Sequence, residues 1–238
     1  MRNIMEELLQ TLINVDTQLF LKLNSWHTQF LDYFMLLYSN RVVWLPFYLS
    51  FVFVLIYNFP NRTKTWVSCI ICVCILILMC DQIASGMLKP LVARYRPSCL
   101  DSPISHMVHI VNCYRGGRFG FPSSHASNSF GITFFAIYLL RRNKLSVFLV
   151  VWAAITCYSR IYLGVHYPAD IFVGILIGLV SASLCYYTFQ KILPRHARAF
   201  RPGMVNFKFD YIPILTGFAT IWILLAVSAT MLYLDMPH

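Results

Sequence analysis

The chain predicts an all-α fold: a polytopic membrane helix bundle with six transmembrane helices, preceded by an amphipathic helical segment. Three observations carry that prediction. Of its 238 residues 58% are hydrophobic and only 12% charged, against about 45–50% and about a quarter in soluble globular domains. Six apolar runs recur along it, most of them near the roughly 20 residues that cross about 30 Å of hydrocarbon. The basic residues fall in the short connectors between runs, where topology signals lie. Backbone in lipid must satisfy its own hydrogen bonds, so the runs are read as helices.

Residues 1–41 form the amphipathic segment. Leu8, Leu9, Leu12 and Ile13, then Leu19, Phe20 and Leu23, then Phe30, Leu31, Phe34 and Met35 recur at helical spacing. They predict one or two helices lying along the bilayer surface or on the bundle. Acidic residues come early, and no small-residue cleavage site follows an apolar core, so the segment does not read as a cleavable signal peptide. Residues 42–238 form a single membrane domain, with spans at 42–59, 66–88, 126–140, 145–163, 169–193 and 211–234. The third is short, and its helix is expected to open in the "PSSH" segment. Gly174 and Gly178, four apart on the fifth span, predict close helix packing.

Six crossings put both termini on one side. The opposite side holds Arg62, Lys64, Arg141, Arg142, Lys144, Lys191, Arg195, Arg198, Arg201 and Lys208, with only Asp210 opposing them. The positive-inside rule makes that side cytoplasmic and turns the other toward the periplasm or cell exterior of a bacterial cytoplasmic membrane. The net charge of +10 does not indicate nucleic acid, because its sources are scattered over connectors and not pooled on one face. Six cysteines lie inside apolar runs and read as small hydrophobes. Cys99 and Cys113 flank a polar outer loop and are expected to be able to bridge in an oxidising compartment.

Three polar stretches share the outer side: "KPLVARYRP", "FPSSH" and "SRIYLGVHYPAD". Together they bring Lys89, Arg96 and Arg160 toward His125 and His166, with Asp170 as the lone carboxylate. Three cations around two histidines repel a metal ion and attract a multiply charged oxyanion, so neither metal nor cofactor is expected. Arginine's planar fork matches phosphate and lysine adds a point charge. Asp170 lies four residues after His166, with Pro168 opening a helix between them. That spacing lets the carboxylate orient His166 as nucleophile while His125 protonates the leaving oxygen. Ser123 and the amides at the start of the next helix add phosphate donors. Arg94, Arg115 and Arg118 are candidate headgroup contacts. His27, His106, His109 and His196 have no partner pattern and read as ordinary loop residues.

Lys89–Arg96–Pro97, Pro122–Ser123–Ser124–His125 and Ser159–Arg160–His166–Asp170 resemble the tripartite signature of the type-2 phosphatidic acid phosphatase superfamily, K-x6-R-P, P-S-G-H and S-R-x5-H-x3-D. The resemblance spans roughly residues 42–190. It implies metal-independent phosphatase chemistry, with His166 as nucleophile held by Asp170, His125 as acid, and Lys89, Arg96, Ser123 and Arg160 on phosphate. Ser124 stands where the signature has glycine and is counted with the phosphate-binding residues. The function expected is hydrolysis of a lipid phosphate: a polyprenyl diphosphate, phosphatidylglycerol phosphate, phosphatidic acid or a lipid A type glycolipid. The alternatives are a phosphatase or phosphotransferase for a soluble ester and a non-hydrolytic transporter of phosphorylated solutes. Partners are the lipid substrate and membrane lipids.

Overall fold

The computed structural model describes residues 2–59, 62–200 and 208–235; Arg201, in the connector before the last expected span, lies outside them. Among the described residues the architecture is helical, with one isolated antiparallel bridge between Tyr95 and Phe119. Eight helices of ten or more residues follow in order. They are α1 (Arg2–Asn24), α2 (Gln29–Tyr38), α3 (Leu45–Asn58), α4 (Thr63–Val92), α5 (Ser124–Leu140), α6 (Asn143–Tyr162), α7 (Pro168–Ile192) and α8 (Ile212–Asp235).

The amphipathic segment forms two helices, and both pack on the bundle. α1 leaves Leu8, Leu9 and Leu12 exposed but buries Phe20 completely. Its last residue is a staple: the Asn24 amide donates to the Ile161 and Tyr162 carbonyls at 3.2 and 2.8 Å, and its Oδ1 accepts from His109 N at 2.8 Å. α2 is capped by Thr28, whose hydroxyl accepts from Leu31 N. α2 then packs on α8 and α6 and delivers Phe34, Met35 and Tyr38 to the core around Trp44, Phe47 and Trp152.

Among the described residues five stretches are long and apolar enough to cross a membrane: Arg41–Asn58, Thr63–Val92, Asn143–Tyr162, Pro168–Ile192 and Ile212–Asp235. The expected third crossing, α5, is not among them. It has 17 residues, about 26 Å at 1.5 Å per residue. Ser123 caps the helix, so its first turn, with Ser124 and His125, belongs to the site. α5 is nevertheless the centre of the bundle, packed by α4, α6 and α7. It meets α7 most closely. A Cβ on Gly174 would lie 2.5 Å from the Ser123 carbonyl oxygen, and one on Gly178 2.6 Å from that of Ser127. Only glycine allows backbones this near.

α4 changes pitch near its outer end. Its regular part closes at Asp81, a π-helical stretch covers Gln82–Leu88, and one α turn, Lys89–Val92, completes it. Pro90 has no N–H to give and crowds the preceding turn, and the wider π geometry absorbs that misfit. The helix stops at Ala93 in the left-handed conformation, φ 50°, which turns the chain sharply toward the site.

Candidate active site

The loop after α4 folds back on itself. Arg96 N donates to the Arg118 carbonyl and Gly120 N to that of Arg94, so the strip carrying Arg94 and Arg96 lies against the strip leading into α5. Ser98 N donates to Gly164 O, tying the same loop to the turn between α6 and α7. Three segments far apart in sequence thus meet at one end of the bundle.

His166 is 1% exposed at that junction. Its Nδ1 lies 3.2 Å from Asp170 Oδ2. Asp170, fully buried in the first turn of α7, also accepts from Tyr167 N at 3.0 Å, which satisfies a free helix-start amide. On the far side of the ring, Arg96 Nη1 stands 3.4 Å from His166 Nε2, while its Nε donates to the Phe119 carbonyl at 3.0 Å. Gly120 closes the wall: a Cβ there would come within 3.0 Å of Asp170 Oδ2. Burial first, then the cations Arg96, Arg160 and Lys89, push the His166 pKa well below the ordinary imidazole value. The ring is therefore neutral, with a lone pair to give.

Arg160 is buried between Ser39 Oγ, to which Nη1 donates, and the Tyr114 hydroxyl, 3.1 Å from Nη2. Burial raises the Tyr114 phenol, but Arg160, Arg96 and Arg41 outweigh it and bring the pKa below its ordinary value. Lys89 Nζ bonds Ser85 Oγ at 3.3 Å and is near enough for its charge to act on His166. Ser123 is buried at the N-cap of α5, where its Oγ accepts from Ala126 N and keeps its own proton for another acceptor. Ser124 occupies the first helical position and is not among the residues with positive φ, so the glycine of the signature is not required by the backbone. Burial first, then Arg160, Arg41, His166 and Arg96, push the His125 pKa well below the ordinary imidazole value in the phosphate-free site, and the ring lines the cavity described below. Lys89, Arg96, His125, Arg160, His166 and Asp170 thus lie within reach of one another's charge, and Ser123 N donates to the Asp170 carbonyl, bringing Ser123 and the adjoining Ser124 to the same end of the bundle.

The candidate headgroup contacts fare differently. Arg94 points inward: Nη1 bonds Asp170 Oδ1 at 3.2 Å, Nη2 bonds Asp16 Oδ2 at 2.7 Å, and the guanidinium stacks 3.8 Å from the Tyr167 ring centroid. It is part of the frame, which corrects its reading as a headgroup contact. Arg115 also turns back, donating to the Ser98 carbonyl at 2.7 Å and bracing the loop. Arg118 stays exposed, paired with Asp101 at 3.2 Å and with the Tyr95 hydroxyl. Cys99 and Cys113 are free thiols. His109, read from sequence as an ordinary loop residue, bonds Asp32 at 2.8 Å and stacks on His27 at 3.7 Å. Asp16, Ser39, Arg41, Tyr114 and Gly120 were not legible as site residues, because no local spacing links them to the three motifs.

A cavity of about 410 Å³ shares His125 with this site. Ser39 and Arg41 line it beside His125, and Trp44, Phe47, Ile70, Val73 and Phe135 are among its apolar walls. From α5 it is lined by His125, Asn128, Ser129, Ile132, Phe135, Ala136, Leu139 and Leu140, one helical stripe about 22 Å long. Arg142 and Asp210, also in its lining, pair at 3.4 Å.

The family model described as PAP2 superfamily matches residues 69–194. A lipid A 4'-phosphatase of Bacteroides thetaiotaomicron is 42% identical over 79% of this chain and 83% of its own. A lipid A 4'-phosphatase of Porphyromonas gingivalis is 36% identical over 75% and 74%. Among solved structures, the transmembrane PAP2 type phosphatidylglycerolphosphate phosphatase of Bacillus subtilis aligns with a TM-score of 0.56 at 21% identity, over 76% of this chain and 88% of that one; it shares the fold. With its three motifs assembled on one helical frame, this multi-pass chain belongs to the PAP2 superfamily.

Proposed function

We propose that this membrane phosphatase removes the 4'-phosphate of a lipid A type glycolipid through a phosphohistidine on His166, at the outer face of a bacterial cytoplasmic membrane. With its Nδ1 proton donated to Asp170, His166 carries a lone pair on Nε2. That lone pair attacks phosphorus, the P–O ester bond breaks, and His125, which takes up its proton once the bound phosphate anion offsets the cations around it, gives that proton to the departing sugar oxygen. Lys89, Arg96 and Arg160, with the Ser123 hydroxyl, hold the phosphoryl oxygens as negative charge builds on them. His125, now neutral, takes a proton from water, the resulting hydroxide displaces His166 from phosphorus, and inorganic phosphate leaves.

The observation that carries the lipid reading is the mostly apolar cavity that His125 lines. His125 also belongs to the cationic site, so an ester whose phosphate meets the cations can extend its substituent along that lining, and burying hydrocarbon there is favourable by the ordinary cost of exposing it to water. The two 4'-phosphatase relatives support the choice of headgroup. The connector charges support the outer face. The test is phosphate release by purified protein in detergent on a bis-phosphorylated lipid A, a polyprenyl diphosphate, phosphatidic acid and a soluble aryl phosphate, with mass spectrometry locating the phosphate lost. Selective loss from the 4'-position is expected. Equal turnover of the soluble ester would overturn the lipid reading, and loss from the 1-position would overturn the choice of site.

A further inference from the structure

We propose that Asp16, on the amphipathic first helix, is a positioning residue of this active site, acting through Arg94 to keep Asp170 bonded to His166. The inference rests on the reading of His166 as nucleophile and adds a residue that the motifs do not contain.

The two oxygens of Asp16 are divided between two elements. Oδ2 takes Arg94 Nη2 at 2.7 Å, and Oδ1 accepts from Ala169 N at 2.9 Å. Ala169 is in the first turn of α7, where backbone amides have no partner within the helix. Asp16 therefore caps α7 from another helix, one residue before Asp170. One turn further along α1, on the same face, Phe20 is fully buried with its ring 5.3 Å from that of Tyr167. Arg94 stacks on the same Tyr167 ring at 3.8 Å. α1 thus grips the start of α7 at two points, one ionic and one aromatic.

The ionic point controls how Arg94 meets Asp170. An arginine beside a carboxylate favours two parallel N–H···O bonds. Here Arg94 makes one, from Nη1 to Oδ1 at 3.2 Å, while Oδ2 remains with His166 Nδ1 and Tyr167 N. Its second nitrogen is held by Asp16. Remove the Asp16 charge and Nη2 is released to swing onto Asp170 Oδ2, in competition with the imidazole. The His166 ring then loses the bond that orients its lone pair, and a displacement of about 1 Å at a reacting atom costs up to 10²-fold in rate. Asp16 contributes nothing to phosphate directly, so substrate binding is untouched.

The experiment uses full-length protein in detergent, with Asp16→Asn, Asp16→Glu, Arg94→Ala, the Asp16→Asn/Arg94→Ala pair and His166→Ala. Asp16→Asn keeps an acceptor for Ala169 N and removes only the charge. It is expected to lower kcat about tenfold or more with KM and thermal midpoint unchanged, and Asp16→Glu to recover part of the loss. Added guanidinium is expected to raise kcat of Arg94→Ala, but not of the double variant, since the free cation needs both carboxylates. Unchanged kcat in Asp16→Asn, or a loss that multiplies independently with that of Arg94→Ala, overturns the role of Asp16. If Asp16→Asn loses activity only along with its thermal midpoint, the residue is structural and the inference fails. Turnover surviving in His166→Ala sinks the nucleophile reading instead, whatever the Asp16 variants do.

Discussion

Arg96 Nη1 faces His166 Nε2 at 3.4 Å, and a guanidinium has donors only. Nε2 must therefore be the acceptor in that contact, which agrees with the Nδ1 proton being given to Asp170 on the other side of the ring. Two neighbours of opposite charge select one tautomer. Arg96 is held in turn by the Phe119 and Val165 carbonyls, so its fork is fixed before substrate arrives. Arg96→Lys keeps the charge and loses the fork. A fall in kcat of about 10²-fold is expected, measured by phosphate release at saturating lipid, and a variant within twofold of the parent would remove Arg96 from the phosphate pocket.

His166 should remain neutral well into acid. Burial and the cations Arg96, Arg160 and Lys89 depress its pKa below the free value of about 6.5. The folded protein then refuses a proton that the unfolded chain accepts. This contribution to stability is complete above about pH 6.5 and is lost as pH falls toward the depressed folded value. The imidazole ¹⁵N signals of the phosphate-free protein, assigned with His166→Ala, are expected to show no protonation at pH 6.5. A titration midpoint at or above 6.5 would contradict the buried cationic setting.

The groups that these two predictions use were legible because short fixed spacings connect them. His166 and Asp170 are one helical turn apart, Lys89 and Arg96 share one stretch, and Ser123 precedes its helix by a single residue. What binds the stretches to each other was not legible. Asp16 and Ser39 reach Arg94 and Arg160 from parts of the chain about 80 and 120 residues away, and no periodicity encodes that. The inward turn of Arg94 follows from two carboxylates, one of which lies in a helix whose apolar pattern said only that it was amphipathic. α5 shows the limit for the fold. Its run was plainly apolar, but the helix it forms has 17 residues, and hydropathy does not show that its first turn belongs to the site.

Small residues at the α5–α7 contact are expected to set both stability and site geometry. A Cβ on Gly174 would lie 2.5 Å from the Ser123 carbonyl and 2.8 Å from the Ala126 Cβ, so Gly174→Ala must push the start of α5 away from α7. Such crowding costs about 1–3 kcal/mol. It displaces Ser123, whose own N–H bonds the Asp170 carbonyl at 3.0 Å. Thermal unfolding in detergent should show the loss, and kcat should fall with it. A Gly174→Ala protein with parental midpoint and kcat would mean that the helices separate without cost.

A narrower channel should penalise lipids and spare small esters. Ile132 and Ala136 line the cavity about two and three turns along α5 from His125, away from the charged groups of the site. Ala136→Phe fills the channel there while leaving every charged group of the pocket in place. If the hydrocarbon of the substrate lies in this cavity, the variant excludes part of it. Losing the burial of two methylenes costs about 1.6 kcal/mol, which is about tenfold in affinity. KM for a long-chain lipid phosphate should therefore rise about tenfold or more. KM for a short soluble phosphate, which never enters the channel, should stay the same, so the ratio of the two reports occupancy rather than damage. Equal changes for both substrates would mean that the substitution has disturbed the pocket itself, and no change for either would leave the cavity empty of substrate.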